Sequence, residues 1–199
     1  MSEYPTHLVE EVMPIPASVD QSELNSRNLY VMQGLDLSLA SQLVERSNEP
    51  HVVKFCPNDA PKRFKDVAAV EAWQTKQRLS LPLVSKLGNG ALRLEGFGWM
   101  GPGAPGEDEP QIPGALITYA ERIYSDAVGQ GNALPYARAM LDTHDALYGN
   151  EGVWLEAWVK NEAATKTYKN AGFDIFTIIP GQLHGESMDR VYMTLDKKA

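Results

Sequence analysis

The sequence predicts one α+β domain of mixed α/β layout, with about six to seven strands and about four helices, on three observations. Residues 152–159, Gly-Val-Trp-Leu-Glu-Ala-Trp-Val, are apolar at almost every position, as a central strand covered on both faces must be. The strand-like runs 81–85 and 91–99 flank Leu87-Gly88-Asn89-Gly90, and an Asn-Gly pair between such runs is a strong hairpin signal, so these two strands are expected to pair antiparallel. Stretches with apolar residues at helical spacing separate the strand-like runs, and several open on a capping Asp or Asn.

Taken in order, residues 1–26 are rich in Pro, Ser and Glu without a stable period, and read as an arm laid on the surface or partly disordered, ahead of a domain over 27–199. Residues 28–32 form a first strand. Asp36 caps a helix carrying Leu37, Leu39, Ala40, Leu43 and Val44, and after a Pro-rich break at 57–61 Asp66 caps a second, with Val67, Ala69, Val70 and Trp73. The hairpin follows. Residues 98–113 make a Gly/Pro loop with Glu107, Asp108 and Glu109 at its tip, longer than a bare connection needs. A strand over 115–124 leads through Val128-Gly129-Gln130-Gly131-Asn132-Ala133 into a helix with Leu134, Ala137, Met140, Leu141 and Leu147 on its apolar face. Pro135 is tolerated there because first-turn N–H groups lack internal partners. Asn161 caps a last helix that stops at Gly172, and strands over 173–179 and 190–195 flank a polar loop.

Charge excludes some functions. In 199 residues, 26 Asp and Glu against 18 Lys and Arg leave a net charge of -8, which argues against a phosphate backbone as partner, so no nucleic acid is expected. A single cysteine, Cys56, makes no intramolecular disulfide and suits a reducing compartment. With no basic, apolar leader at the start and no run of roughly 18 apolar residues, the reading is a soluble cytoplasmic protein without a membrane partner, either monomer or homodimer. The four histidines are scattered, and no metal site is expected.

Two motifs carry chemistry. In the turn at 128–133, Gly129 and Gly131 let the backbone approach a ligand, and the helix start that follows aims unpaired N–H groups and a positive dipole end at it, an arrangement that suits a pyrophosphate. The spacing is neither a dinucleotide fingerprint nor a Walker loop. In the second motif, Asn161, Ala164, Tyr168 and Ala171 share one helical face, a cap amide and small residues beside a phenol, which admits a ligand.

The two motifs occur in this order with a strand containing Glu156 between them, and here the sequence resembles the GNAT superfamily of acyl-CoA-dependent N-acyltransferases. That family places a Gln/Arg-x-x-Gly-x-Gly/Ala turn on the CoA pyrophosphate; Gly131 and Ala133 match it, and Val128 departs from it where a Gln or Arg is usual. Asn161, Ala164, Tyr168, Gly172 and Phe173 match the family's Asn-x-x-Ala-x-x-x-Tyr-x-x-x-Gly-Phe stretch at every position. The resemblance is specific over about 114–195, looser over 28–113, and absent over the arm.

It implies a central mixed, mostly antiparallel twisted sheet flanked by helices, acetyl-CoA as co-substrate, and an amine acceptor that attacks the thioester directly. Tyr168 matches the tyrosine that faces the CoA sulfur, and a phenol with a reference pKa of about 10 is still protonated at neutral pH, as a general acid must be. The resemblance assigns the pantetheine arm to the backbone at Ile123 and Tyr124, and the pyrophosphate to Val128, Gly129, Gln130, Gly131, Asn132 and Ala133. It places Asn161 and Ala164 on the helix beside Tyr168, facing the cofactor. Glu121 and Glu156 are the candidate bases. Trp99, Met100, Glu107, Asp108, Glu109 and His184 are candidates for the acceptor pocket, whereas Trp73, Trp154 and Trp158 are expected in the core. The acidic residues favour a cationic acceptor. The alternative is a CoA-binding module of the same fold without turnover, suggested by Val128.

Overall fold

A computed structural model describes residues 3–106 and 109–196. The chain begins with β1 (Met13–Pro14), α1 (Ser22–Asn25), β2 (Leu29–Gln33), α2 (Leu37–Arg46) and α3 (Pro50–Phe55). A π-helical turn at Asp59–Arg63 leads to α4 (Val67–Gln74), β3 (Leu79–Lys86), β4 (Leu92–Pro102) and β5 (Ala115–Ile123). Then come α5 (Ala133–Tyr148), β6 (Gly152–Trp158), α6 (Glu162–Asn170), β7 (Asp174–Ile179), the short pair β8 (Gln182–Leu183) and β9 (Glu186–Ser187), and β10 (Arg190–Leu195). The main sheet runs β1-β2-β3-β4-β5-β6-β10-β7, antiparallel throughout except between β5 and β6. Each of the four expected helices is present, and α1 and α3, too short to show a period, are added to them.

Local chemistry explains the element ends. Asp36 accepts from the Leu39 N–H (2.8 Å) and Asp66 from the Ala69 N–H (2.7 Å), each satisfying a donor that a helix start leaves unpaired. The β3–β4 turn closes through Gly90 N–H to Leu87 O (2.9 Å), with Gly90 at φ +84°, a conformation glycine adopts without penalty.

Each face of the sheet buries its own core. On one face α1, α5 and α6 contribute Leu24, Tyr136, Met140 and Tyr168, packed on Leu81, Ile117 and Met193. On the other, α2, α3 and α4 contribute Leu39, Leu43, Val52 and Trp73 around an aromatic nest in which Phe64 stands edge-on to Trp73 (5.3 Å, 79°) and Phe97 (5.7 Å, 85°). Burying each such side chain contributes about 1.5–3 kcal/mol before entropy is charged against it.

The arm-like stretch, over its described residues from 3 onward, is bound down. Met13 and Pro14 pair with β2, and Val12, Ile15 and Val19 are buried. Tyr4 stacks on Tyr148 (4.0 Å, 3°) and its hydroxyl lies 2.7 Å from His144 Nε2. The lack of period is consistent with this, because a chain laid across several elements buries residues one at a time. No described helix is long and apolar enough to cross a membrane.

Close strand packing sets one testable constraint. An alanine Cβ at Gly96 on β4 would stand 2.7 Å from the Arg122 carbonyl oxygen of β5, a backbone atom that cannot swing aside, whereas at Gly88 nothing lies within 4 Å. Gly96→Ala is expected to lower the free energy of unfolding by about 1–3 kcal/mol in urea titrations, and Gly88→Ala to leave it nearly unchanged.

Candidate active site

The site begins with a failure of pairing. β5 and β6 run parallel and pair through Ala115↔Gly152, Ile117↔Val153 and Thr118↔Trp154, and there the ladder ends. Beyond it each strand keeps only its outer partner: β5 stays on β4 as far as Gly96↔Ile123, and β6 stays on β10 as far as Trp158↔Arg190. The inner edges therefore diverge. Backbone groups alternate sides along a strand, and the Tyr124 N–H donates to the Glu95 carbonyl on the β4 side (2.8 Å), so Glu121 and Ile123 direct their N–H and C=O groups into the opening. The Ile123 carbonyl accepts there from His51 Nε2 (2.9 Å). Of the two backbone positions expected to meet a ligand, Ile123 faces the gap. Tyr124 has its N–H engaged by β4 and its ring buried in the α2–α4 core.

A cleft of about 320 Å³ fills the gap and passes through the sheet from one face to the other. On the α6 side it is lined by Tyr119, Glu121, Asn161, Ala164 and Tyr168, so the small-residue face read from the sequence does border an opening. Tyr168 is the one buried side chain of α6, at 6% exposure, standing edge-on to Tyr119 (6.0 Å, 85°) and against Phe173 (6.1 Å). Its hydroxyl makes no hydrogen bond among the described residues. Burial, with the Glu121 charge second, holds that phenol well above its ordinary pKa, so it carries its proton throughout the neutral range.

Glu121 accepts from the Tyr119 hydroxyl at Oε2 (2.7 Å). Burial pushes its carboxyl up to about 8, against the opposing pull of the Tyr119 hydrogen bond and the Arg122 charge. Such a group gains and loses a proton near neutrality, as a base requires. Glu156 is differently placed. Its carboxylate, 45% exposed, lies 3.2 Å from Arg190 Nη1, which also holds Glu109 Oε1 at 3.1 Å. The two acidic groups thus share one cation on the cleft wall. Glu107 and Asp108 lie outside the described residues.

On the α3 side the cleft is lined by Phe55, Cys56, Pro57 and Asn58, with Trp99 and Arg122 beneath. Arg122 stacks over Trp99 (4.2 Å) and is paired through Nε (2.5 Å) with Asp59, a fully buried carboxylate that also takes Arg63 Nη1 at 3.2 Å. This buried pair fastens the π-helical turn to β5. Removing one partner would strand a charge in the interior. Burial raises the Cys56 thiol above its ordinary range, which keeps it a thiol rather than a nucleophilic thiolate. Trp73 and Trp154 are in the core as expected, Trp154 with Ile112 and Tyr192; Trp154 and Trp99 also line the cleft, and Trp158, expected in the core, is half-buried on it. His184 does not line the cleft: its Nε2 lies 3.1 Å from the Val53 carbonyl oxygen and 3.2 Å from that of Lys54, tying the β8–β9 turn to α3.

The glycine turn follows β5 and opens α5. Gly129 and Gly131 take φ +77° and +75°, which a side chain would strain, and a Cβ at Gly129 would meet nothing within 4 Å. Val128 is 50% exposed. Beside it stands a residue that sequence reasoning missed. Arg27, at the end of α1, donates through Nη1 to the Gln130 carbonyl and to Asn132 Oδ1, both at 2.8 Å, and pairs with Glu23 at 2.7 Å. Asn132 is buried and also donates to the Ala127 carbonyl (3.2 Å), so Arg27 and Asn132 lock the turn ahead of Ala133, the first residue of α5. Nothing local in the sequence links Arg27 to a turn a hundred positions away. Arg190, Tyr119 and the Phe55–Asn58 wall were likewise unmarked. Among the described residues no group of three or more His, Cys, Asp or Glu could hold a metal.

No family model and no curated protein matches the sequence. Solved structures do match the fold. A spermidine N-acetyltransferase from Vibrio cholerae, solved with CoA and spermine, superposes with a TM-score of 0.65 at 13% identity, over 86% of this chain and 96% of that one. GNAT-family acetyltransferases from Streptococcus pneumoniae (TM-score 0.63, 16% identity, 83% of this chain and 97% of that) and Bacillus anthracis (0.64, 11%, 94% and 99%) do the same. At such identities the likeness speaks for architecture, and with the split between β5 and β6 and the glycine turn in place, the chain has the GNAT acetyltransferase fold.

Proposed function

We propose that the protein is an N-acetyltransferase that passes the acetyl group of acetyl-CoA to a primary amine. The observation that carries this reading is the opening between β5 and β6, with a protonated phenol and a carboxyl poised near neutrality in one cleft.

The residues present fit the cofactor. Acetyl-CoA supplies an activated thioester. The β5 edge past Thr118 offers the Glu121 backbone groups and the Ile123 N–H to the pantetheine amides, the Ile123 carbonyl being held by His51. The turn from Gly129 to Ala133, with its open glycine surface and the start of α5, offers N–H groups to the diphosphate. Val128 adds no polar contact, and the lock made by Arg27 and Asn132 presets the turn that those amides need. In the proposed reaction Glu121, in its ionised fraction, takes a proton from the acceptor's ammonium, the neutral amine attacks the thioester carbonyl and the C–S bond breaks. The Tyr168 hydroxyl gives its proton to the departing thiolate, and the proton that the nitrogen sheds as the amide forms returns to the phenolate. Glu156 keeps Arg190 in place rather than acting as the base. The exposed Val128 favours the second reading, a CoA-binding module without turnover; CoA binding without release of free thiol in the presence of any amine would select it.

Three outcomes check the reading. Gly131→Asp, which puts a side chain and a negative charge at a φ +75° position on the turn, is expected to abolish CoA binding in calorimetry, and unchanged affinity removes the turn from the site. Tyr168→Phe is expected to lower kcat by about 10²- to 10⁴-fold while leaving CoA affinity and melting temperature nearly intact. A full-rate but less stable variant makes Tyr168 scaffold only.

Glu121 gives a pH dependence with a defined sign. Its folded pKa lies above the unfolded one, so the folded state binds more protons between about 4.5 and about 8, and the stability associated with the protonated form is lost as pH rises through about 8. Wild-type kcat/KM is expected to climb through that same range as the base ionises. Glu121→Gln is expected to remove the climb and to gain in melting temperature over wild type as pH increases. A variant with an unaltered pH–rate profile would assign the proton to another group.

A further inference from the structure

Asn58 and Arg63 line the cleft and also a shallower groove beside it, formed by the π-helical turn and α4. Lys62, Arg63, Lys65 and Lys76 border this groove, and Asp66 is its one acidic residue. Both Asp66 oxygens are engaged: Oδ1 caps α4, and Oδ2 lies 3.9 Å from Lys65 in an exposed, weak pair. Lys62 and Lys76 have no ion-pair partner among the described residues. A chain of net charge -8 thus gathers four cations on one side of its cleft.

Within the cleft the carboxylates are already committed. Glu109 and Glu156 share Arg190, Asp59 holds Arg122 and Arg63, and Glu121 accepts from Tyr119. The groove is also separate from the glycine turn. Trp73, on its floor, belongs to the core of the α2–α4 face, whereas α5, which the turn opens, packs on the opposite face. A CoA diphosphate at the turn would not occupy it.

We infer that the acceptor is an amine whose own molecule carries an anionic group, carboxylate or phosphate, which lies on Lys62, Arg63, Lys65 and Lys76 while the amine enters the cleft past Asn58. This rests on the acyl-transfer reading of the cleft, and it reverses the expectation of a cationic acceptor. That expectation counted acidic residues without knowing that Glu109 and Glu156 share Arg190 and that Glu121 is held by the Tyr119 hydroxyl. Lysines act here as point charges, so carboxylate and phosphate are recognised by the same chemistry.

The test uses matched peptides with a free α-amine: Ala-Glu-Glu-amide, Ala-phosphoSer-Ala-amide, Ala-Gln-Gln-amide and Ala-Lys-Lys-amide, at low and high salt. For the wild type, kcat/KM on the two anionic peptides is expected to exceed that on the glutamine peptide by about fivefold or more, mostly through KM. The excess should shrink at high salt, and the ratio between the two anionic peptides separates the sources of charge. In the Lys62→Glu/Lys65→Glu/Lys76→Glu variant the preference is expected to invert toward the lysine peptide. Equal rates on all four, a wild-type preference for the lysine peptide, or a preference unmoved in the variant overturns the inference. A titration of triglutamate followed by tryptophan fluorescence, Trp73 lying on the groove, reads binding without turnover. Saturable quenching by wild type that is lost in the variant supports the groove, and its absence in wild type overturns it whatever the rates. If CoA does not bind and no amine is acetylated, the acyl-transfer reading fails, and the triglutamate titration still decides the groove.

Discussion

Two strands that begin as a parallel pair and end as edges facing each other govern the rest of this molecule. Thr118↔Trp154 is the last rung between β5 and β6, and past it neither strand loses its outer neighbour, so the sheet opens without unravelling. An interior sheet edge with unpaired backbone groups is costly unless water, side chains or a ligand satisfies it. Here His51 takes the Ile123 carbonyl, and the other inward-facing groups border the cleft. The opening also joins the two faces of the sheet, with Ala164 and Tyr168 on its α6 side and Phe55 to Asn58 on its α3 side.

Buried charge maintains that geometry. Asp59 ties the π-helical turn to β5 through Arg122, and Arg190 ties Glu109 and Glu156 to β10. Glu121 stands among these pairs with a phenol as its hydrogen-bond partner and no salt bridge of its own, which is why burial can raise its carboxyl to about 8. On the opposite face Arg27 performs a similar service for the glycine turn.

Much of the fold was legible in the sequence because it rests on local rules. Asp36, Asp66 and Asn161 cap helices where they stand, and Asn89-Gly90 turns the β3–β4 hairpin. The apolar run at 152–159 forms β6 over Gly152–Trp158, paired with β10 from Val153 to Trp158 and with β5 only as far as Trp154. The short elements were not legible. Met13–Pro14 and Ser22–Asn25 hold too few residues to show a period, and Val12, Ile15 and Val19 are buried by what lies over them rather than by any pattern of their own.

By itself the sequence determined the order of strands and helices, the hairpin, the positive-φ glycines of the turn and the phenol-bearing face of α6, since each depends on residues within a turn or two of one another. Only the tertiary structure decided which charges remain uncommitted. Glu121 and Glu156 look alike as carboxylates on strands, yet the carboxyl of one has its pKa raised by burial beside Tyr119 and the other is paired with Arg190, a residue 34 positions away. It also decided that Arg27 meets the turn at Gln130 and that the lysines around α4 line a groove that adjoins the cleft at Asn58 and Arg63. Electrostatic environment depends on distance and burial in three dimensions, and a linear pattern of residues carries neither.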